Sequence, residues 1–172
     1  MKKDEIKENI KFFITAILIV LLVNYGLGLL LKTDLPLVAV ISESMTHDQT
    51  TEIVHYKFLE TEYGYSRDFV ESWPIKNGFR KGDVLVIKGV EREKLKVGDV
   101  IVFDIEEQKI PIVHRIIKID GEKIITKGDH NPVPDPWEVK RIHGKVIFII
   151  PFLGWPKLIF TYIVSWLLSL IL

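Results

Sequence analysis

Phe12 to Leu31 is a run of twenty residues without a formal charge. As a helix rising about 1.5 Å per residue, it comes close to the ~30 Å of a bilayer's hydrocarbon core. Asn24, Gly26 and Gly28 are its weak points. A secretory signal peptide would have an apolar region about half as long, followed by a small-x-small cleavage site. Here leucines continue to Leu31 and Lys32-Thr33-Asp34 follow. The run therefore reads as an uncleaved membrane anchor at 12–31. Lys2, Lys3, Lys7 and Lys11 precede it, and close behind it stands only Lys32. That asymmetry predicts that residues 1–11 stay cytoplasmic and that the chain after Lys32 lies outside. Asp34-Leu35-Pro36 is expected to end the helix, because the residue before proline is pushed out of the helical region.

With 172 residues, one domain of ordinary size fits between the anchor and a second apolar stretch at the other end. The formal charge is balanced, which argues against nucleic acid as a partner. The absence of cysteine removes disulfides, thiol catalysis and thiolate metal sites. The C-terminal stretch 151–172 contains fifteen uncharged residues from Leu158 to Leu172. A helix of that length covers only about 22 Å, so partial or tilted insertion is expected, with Trp155, Tyr162 and Trp166 at head-group level.

Between the apolar ends, 32–150 reads as an antiparallel, mostly β domain. Leu37–Ile41 is a short buried strand that delivers Ser42 and Ser44 to its end. Gly82-Asp83-Val84-Leu85-Val86 and Gly98-Asp99-Val100-Ile101-Val102 are near copies, each a turn feeding an apolar strand. Lys88–Lys96 is a polar connection. Further strands are expected at Ile112–Ile119, Lys123–Thr126 and Ile142–Ile150, with Asp120-Gly121 read as a type I′ hairpin turn. Gly128–Pro136 is a tight loop stiffened by Pro132, Pro134 and Pro136. Residues 46–81 have mixed charge, many aromatics and little periodicity. They read as an insertion that contacts substrate or the membrane surface, or as a surface loop with one small helix.

A few polar residues could carry chemistry. Ser44 lies thirteen residues past Leu31, within roughly 40 Å of the bilayer surface even if the chain is fully extended. It could attack a membrane-held substrate, or serve only as a turn serine. His114, seventy residues further on, is a general base or a satisfied strand histidine. Arg115 points to the opposite face of that strand. It is read as structural or surface, with a role in orienting a carboxylate left open. Asp129 and Asp135 bracket the proline loop; for Asp129, turn chemistry after Gly128 is the rival. His47 and His55 are expected at the surface. No His-Glu-x-x-His occurs and the histidines are scattered, so no metal site is expected.

Ser42-x-Ser44-Met45 behind the anchor, Gly82-Asp83, Gly98-Asp99-Val100-Ile101, Val113-His114-Arg115, and Lys127-Gly128-Asp129 with Asp135 occur in that order. Together they resemble type I signal peptidase, in its archaeal and endoplasmic-reticulum branch, over residues 12–150. The bacterial branch has a lysine base where this chain has His114. The resemblance implies a signal-peptidase-like β domain and a membrane-bound serine endopeptidase that removes signal peptides after a small residue. Ser44 would be the nucleophile and His114 the base, with Asp135 the stronger candidate for orienting His114. Asp129 would orient the site or the serine loop, Ser42 would donate to the oxyanion hole, and Met45 would wall a small-residue pocket. No cofactor is implied. The implied partners are preprotein signal peptides, membrane lipid and the secretion translocon, at a cell membrane with the catalytic domain outside. Thr46-His47-Asp48 stands where the family commonly has a proline, and the link to the next Gly-Asp is unusually long. Two rivals remain at this stage: a regulatory or self-cleaving serine protease of related fold, and a non-catalytic membrane-tethered β binding module.

Overall fold

The computed structural model describes residues 3–169. Helix α1, Lys3–Leu31, takes in the charged N-terminal residues as well as the apolar run. Its stretch Glu5–Leu31 is long and apolar enough to cross a membrane, and its most apolar window holds no buried residue. The helix stops earlier than Pro36. Lys32 adopts a left-handed φ of 55°, Thr33 N–H bonds back to the Gly28 carbonyl, and Gly89 N–H caps Leu31 at 2.8 Å. Beyond this, Asp34 accepts from Arg141 and pairs with His143, so the exit of the helix is tied to the β domain.

Six strands form one antiparallel sheet in the order β1-β2-β6-β3-β4-β5. They are β1 Leu37–Ala39, β2 Val84–Lys88, β3 Val100–Ile105, β4 Gln108–Asp120, β5 Lys123–Lys127 and β6 Ile142–Ile150. Strand β1 is shorter than expected, and β4 starts four residues before Ile112 because Glu106-Glu107 turn directly into it. Val100, Ile101, Val102 and Phe103 are all buried, so β3 is covered on both faces and its side chains divide by the two-residue period. Val100 and Val102 join a cluster with Val40, Met45, Phe79 and Leu85. Ile101 and Phe103 join another with Leu95, Ile116, Ile124 and Val139.

Each of the two Gly-Asp turns is covered by a tryptophan. A Cβ on Gly98, whose φ is +95°, would sit 2.4 Å from the Trp73 ring; a Cβ on Gly82 would meet Trp155 at 2.2 Å. In both turns the aspartate accepts the amide three residues back, Asp83 from Arg80 and Asp99 from Lys96. Trp155 opens helix α4, Trp155–Ser169, which carries no buried residue; Leu170 to Leu172 of the expected apolar segment, and Met1 and Lys2, lie outside the described residues.

The β4–β5 hairpin differs from the expected turn. Asp120 pairs with Lys123, so the loop residues are Gly121-Glu122, and only Gly121 has positive φ. That is the pattern of a type II′ turn, which needs glycine at its first central position.

The insertion is no solvated loop. A π-helical turn at Glu52–Lys57 runs straight into α2, Phe58–Tyr63, and α3, Arg67–Glu71, follows. Leu59, Val70 and Trp73 pack on Ile117 of β4, with Tyr56, Phe58, Tyr63 and Tyr65 around them. Burying such side chains contributes about 1.5–3 kcal/mol each, which holds the segment down.

Candidate active site

Past β1 the chain leaves the sheet. Val40 still exchanges main-chain bonds with the Gly82-Asp83 turn at 2.9 and 3.0 Å, and residues after it form a tight turn closed by Thr46 N–H to the Glu43 carbonyl. The peptide after Ser44 is gripped from two sides. His130 N–H donates to the Ser44 carbonyl at 2.9 Å, and Phe79 N–H to the Met45 carbonyl at 3.1 Å. The first contact requires a bare backbone, since a Cβ at Gly128 would come within 2.7 Å of the Ser44 oxygen. Glycine admits that approach of two chains.

His114 stands at the middle of β4 opposite Ile101 and is buried. Its Nε2 lies 3.0 Å from Ser44 Oγ, and its Nδ1 lies 2.7 Å from Asp135 Oδ2. An ionised carboxylate only accepts. Nδ1 therefore carries the proton toward Asp135, leaving the Nε2 lone pair to face the serine hydroxyl. Asp135 is held twice by β5, through Thr126 Oγ1 donating to Oδ2 at 2.6 Å and Asp135 N–H donating to the Thr126 carbonyl at 2.8 Å. Ser42 Oγ is 3.3 Å from Ser44 Oγ. Side chains from a post-strand turn, a central strand and the proline loop thus converge into one hydrogen-bonded line.

Asp129 belongs to a second cluster on the other face of β4. Arg115, fully buried, donates Nε to Asp129 Oδ1 at 2.8 Å and Nη2 to Oδ2 at 2.7 Å. Its other three donor positions go to the carbonyls of Pro74, Ile75 and Gly98 at 2.8–2.9 Å. His47 Nε2 lies 2.9 Å from Asp129 Oδ2, and His55 Nδ1 lies 3.5 Å from Oδ1. Burial alone would raise the Asp129 pKa, but the Arg115 charge and hydrogen bonds, with His47, hold it well below the usual carboxylate range. Burial pushes His55 down to about 4 against the pull of Asp129. Lys127, likewise buried, is brought down to about 8 by desolvation, with Asp129 and Asp135 opposing.

The structure departs from the sequence reading at several of these residues. His47 and His55 are not surface residues: the His55 side chain is 3% exposed and that of His47 16%. They turn inward because the insertion folds onto the sheet. The available signal was the density of aromatics between Tyr56 and Trp73, too apolar for a solvated loop, and the Leu59 position one turn beyond His55. Arg115 faces away from His114, as a strand requires, yet its surface alternative fails because it is buried. Met45 is 1% exposed and packs behind the Asp129 amide, which donates to its sulfur at 3.4 Å. His130 sits at the rim, near Thr50 and Asp48.

No family model matches the chain. Over 99 residues it is 33% identical to the signal peptidase complex catalytic subunit SEC11C of Homo sapiens, covering 49% of this chain and 52% of that protein. It is 40% identical over 70 residues to the SEC11 catalytic subunit of Lodderomyces elongisporus, covering 38% and 42%. With the SEC11 catalytic subunit of Verticillium alfalfae it shares 33% over 107 residues, covering 54% and 62%. The chain is thus homologous to signal peptidase complex catalytic subunits of the endoplasmic-reticulum and archaeal branch over about half its length. It spans about half the length of the first of these relatives.

Proposed function

We propose that this chain is a membrane-anchored serine endopeptidase that removes signal peptides from exported preproteins, cleaving after a small residue. The observation that carries the reading is the continuous contact from Ser44 Oγ through the His114 ring to Asp135. The homology to signal peptidase catalytic subunits supports it.

A serine hydroxyl is a weak nucleophile until a base takes its proton. In the reaction, Ser44 Oγ attacks the scissile carbonyl while His114 Nε2 accepts the proton. Asp135 stabilises the imidazolium and keeps the ring oriented. His114 then protonates the departing amine, and water hydrolyses the Ser44 ester by the same route in reverse. Ser42 Oγ and the Ser44 N–H would receive the oxyanion; one such donor is worth about 3–4 kcal/mol. Asp129 is a positioning residue, bonded to Met45 and His47 on the segment that follows the nucleophile. Residues 12–31 anchor the enzyme, 1–11 stay cytoplasmic, 32–150 form the extracytoplasmic catalytic domain, and 151–172 lie partly in lipid. Exposed apolar surface along α1 and α4 fits lipid contact. Other subunits of a complex, and the translocon, are the partners in keeping with this role.

The test is cleavage of a preprotein supplied in trans to the full chain in detergent or vesicles. Ser44→Ala and His114→Ala should each abolish cleavage while the variants remain folded and membrane-bound. Full activity in either variant overturns the assignment.

A further inference from the structure

His47, His55 and Asp129 play no part in the proton relay at Ser44, yet they converge. One donor atom from each, both imidazoles and a carboxylate oxygen, lies within 4.8 Å of the others. They come from three separate places in the chain: the turn after the nucleophile, the π-helical turn of the insertion, and the proline loop.

Two features distinguish this cluster from an ordinary hydrogen-bonded core. His55 Nδ1 is buried and has no hydrogen-bond partner, although it faces Asp129 Oδ1 at 3.5 Å. A buried polar atom left unpaired costs about 1–3 kcal/mol, so a ligand on Nδ1 would recover that cost. The spacing also fits one. Zinc takes nitrogen and oxygen donors at roughly 2.0–2.2 Å in a tetrahedron, whose edge is then about 3.4 Å. His55 Nδ1 to Asp129 Oδ1 is already such an edge at 3.5 Å. The 2.9 Å contact of His47 Nε2 is to the other oxygen, Oδ2, so binding requires His47 to swing toward Oδ1 and close a donor-to-donor span of up to 4.8 Å.

We propose that His47, His55 and Asp129 form a binding site for a divalent transition metal of the zinc class. His47 Nε2, His55 Nδ1 and one Asp129 oxygen supply three ligands, and water enters on the partly exposed His47 side as the fourth. Both histidines bind as neutral rings, His47 by shifting its ring proton to Nδ1. Arg115 holds the carboxylate from its far edge, as outer hydrogen bonds commonly hold a ligating group. Because Arg115 already compensates the Asp129 charge, the ion is exchangeable rather than permanently held. Occupancy joins the insertion to the segment carrying Ser44, three residues from His47, and thereby stiffens it. The site stands independently of the peptidase reading.

The experiment is titration of the metal-stripped full chain in detergent with Co²⁺, read by its visible absorption. The expected result is a tetrahedral-type band saturating at one equivalent, bleached by added Zn²⁺ and reduced at least tenfold in apparent affinity in His47→Ala and in His55→Ala. His47→Ala is the safer variant because that ring is partly exposed; circular dichroism checks that each variant is folded. Absence of a saturable band, or a band unchanged in a folded His47→Ala, means an adventitious ion only and overturns the proposal.

Discussion

Arg115→Ala should be among the most damaging single substitutions in the β domain. Arg115 is 0% exposed, and all five of its N–H positions have an oxygen partner, two on Asp129 and one each on Pro74, Ile75 and Gly98. Truncation removes the compensating cation from the Asp129 carboxylate, which is 1% exposed in the intact protein. Removing one partner of a buried ion pair costs about 3–5 kcal/mol. The three carbonyls freed at the same time put the expectation at the upper end, although water entering the cavity recovers part of that. At ~2–4 °C per kcal/mol for a chain of this size, the melting temperature should fall by roughly 10 °C or more. Differential scanning calorimetry of both proteins in the same detergent measures it. Arg115→Lys should restore little, because an ammonium offers three donors without the planar fork. Replacing both partners, Arg115→Met with Asp129→Leu, should be milder than Arg115→Ala alone, since no charge is then stranded. A loss below about 1 kcal/mol for Arg115→Ala, with the fold retained, refutes this reasoning.

Two further outcomes follow from the surroundings of the relay. Thr126→Val removes the hydroxyl from Asp135 Oδ2 but keeps the main-chain bond between the same residues. About 1 kcal/mol of lost orientation predicts a roughly fivefold drop in kcat with KM little changed, and steady-state peptide cleavage checks it. Lys127 carries a folded-state pKa of about 8 against 10.5 for a free lysine. Between those values the unfolded chain holds the proton and the folded chain does not, so stability rises as pH is raised through that window. Lys127→Met should remove that rise and stabilise the protein near neutral pH by about 1–2 kcal/mol, after loss of the Gly128 carbonyl and Phe58 contacts. Unchanged pH dependence of the melting temperature in the variant would contradict it.

Much of the sheet was legible because its strands are apolar runs started by Gly-Asp turns, and β6 occupies the expected span Ile142–Ile150. The hairpin was misregistered by one residue because Asp120 pairs with Lys123 instead of opening the turn. Which aspartate meets His114 was beyond sequence reading. Both flank one loop, and it is the two bonds to Thr126, from Asp135 N–H to its carbonyl and from its hydroxyl to Asp135 Oδ2, that hold Asp135 toward the ring. Asp129 goes the other way because Arg115, next to His114 on the strand, points there. The inward histidines were missed for a different reason: the insertion has no long period, and its short helices are held by tertiary contacts of Leu59, Val70 and Trp73.

The proposed catalysis rests on Ser44 being activated by His114 across 3.0 Å. The most direct measurement is intact-mass and peptide mapping of the full chain after treatment with a serine-reactive phosphonate at neutral pH. One adduct on Ser44 is expected, absent in Ser44→Ala and formed about 10²–10⁴ times more slowly in His114→Ala. Labelling at another serine, or labelling of His114→Ala at the unmodified rate, would contradict it.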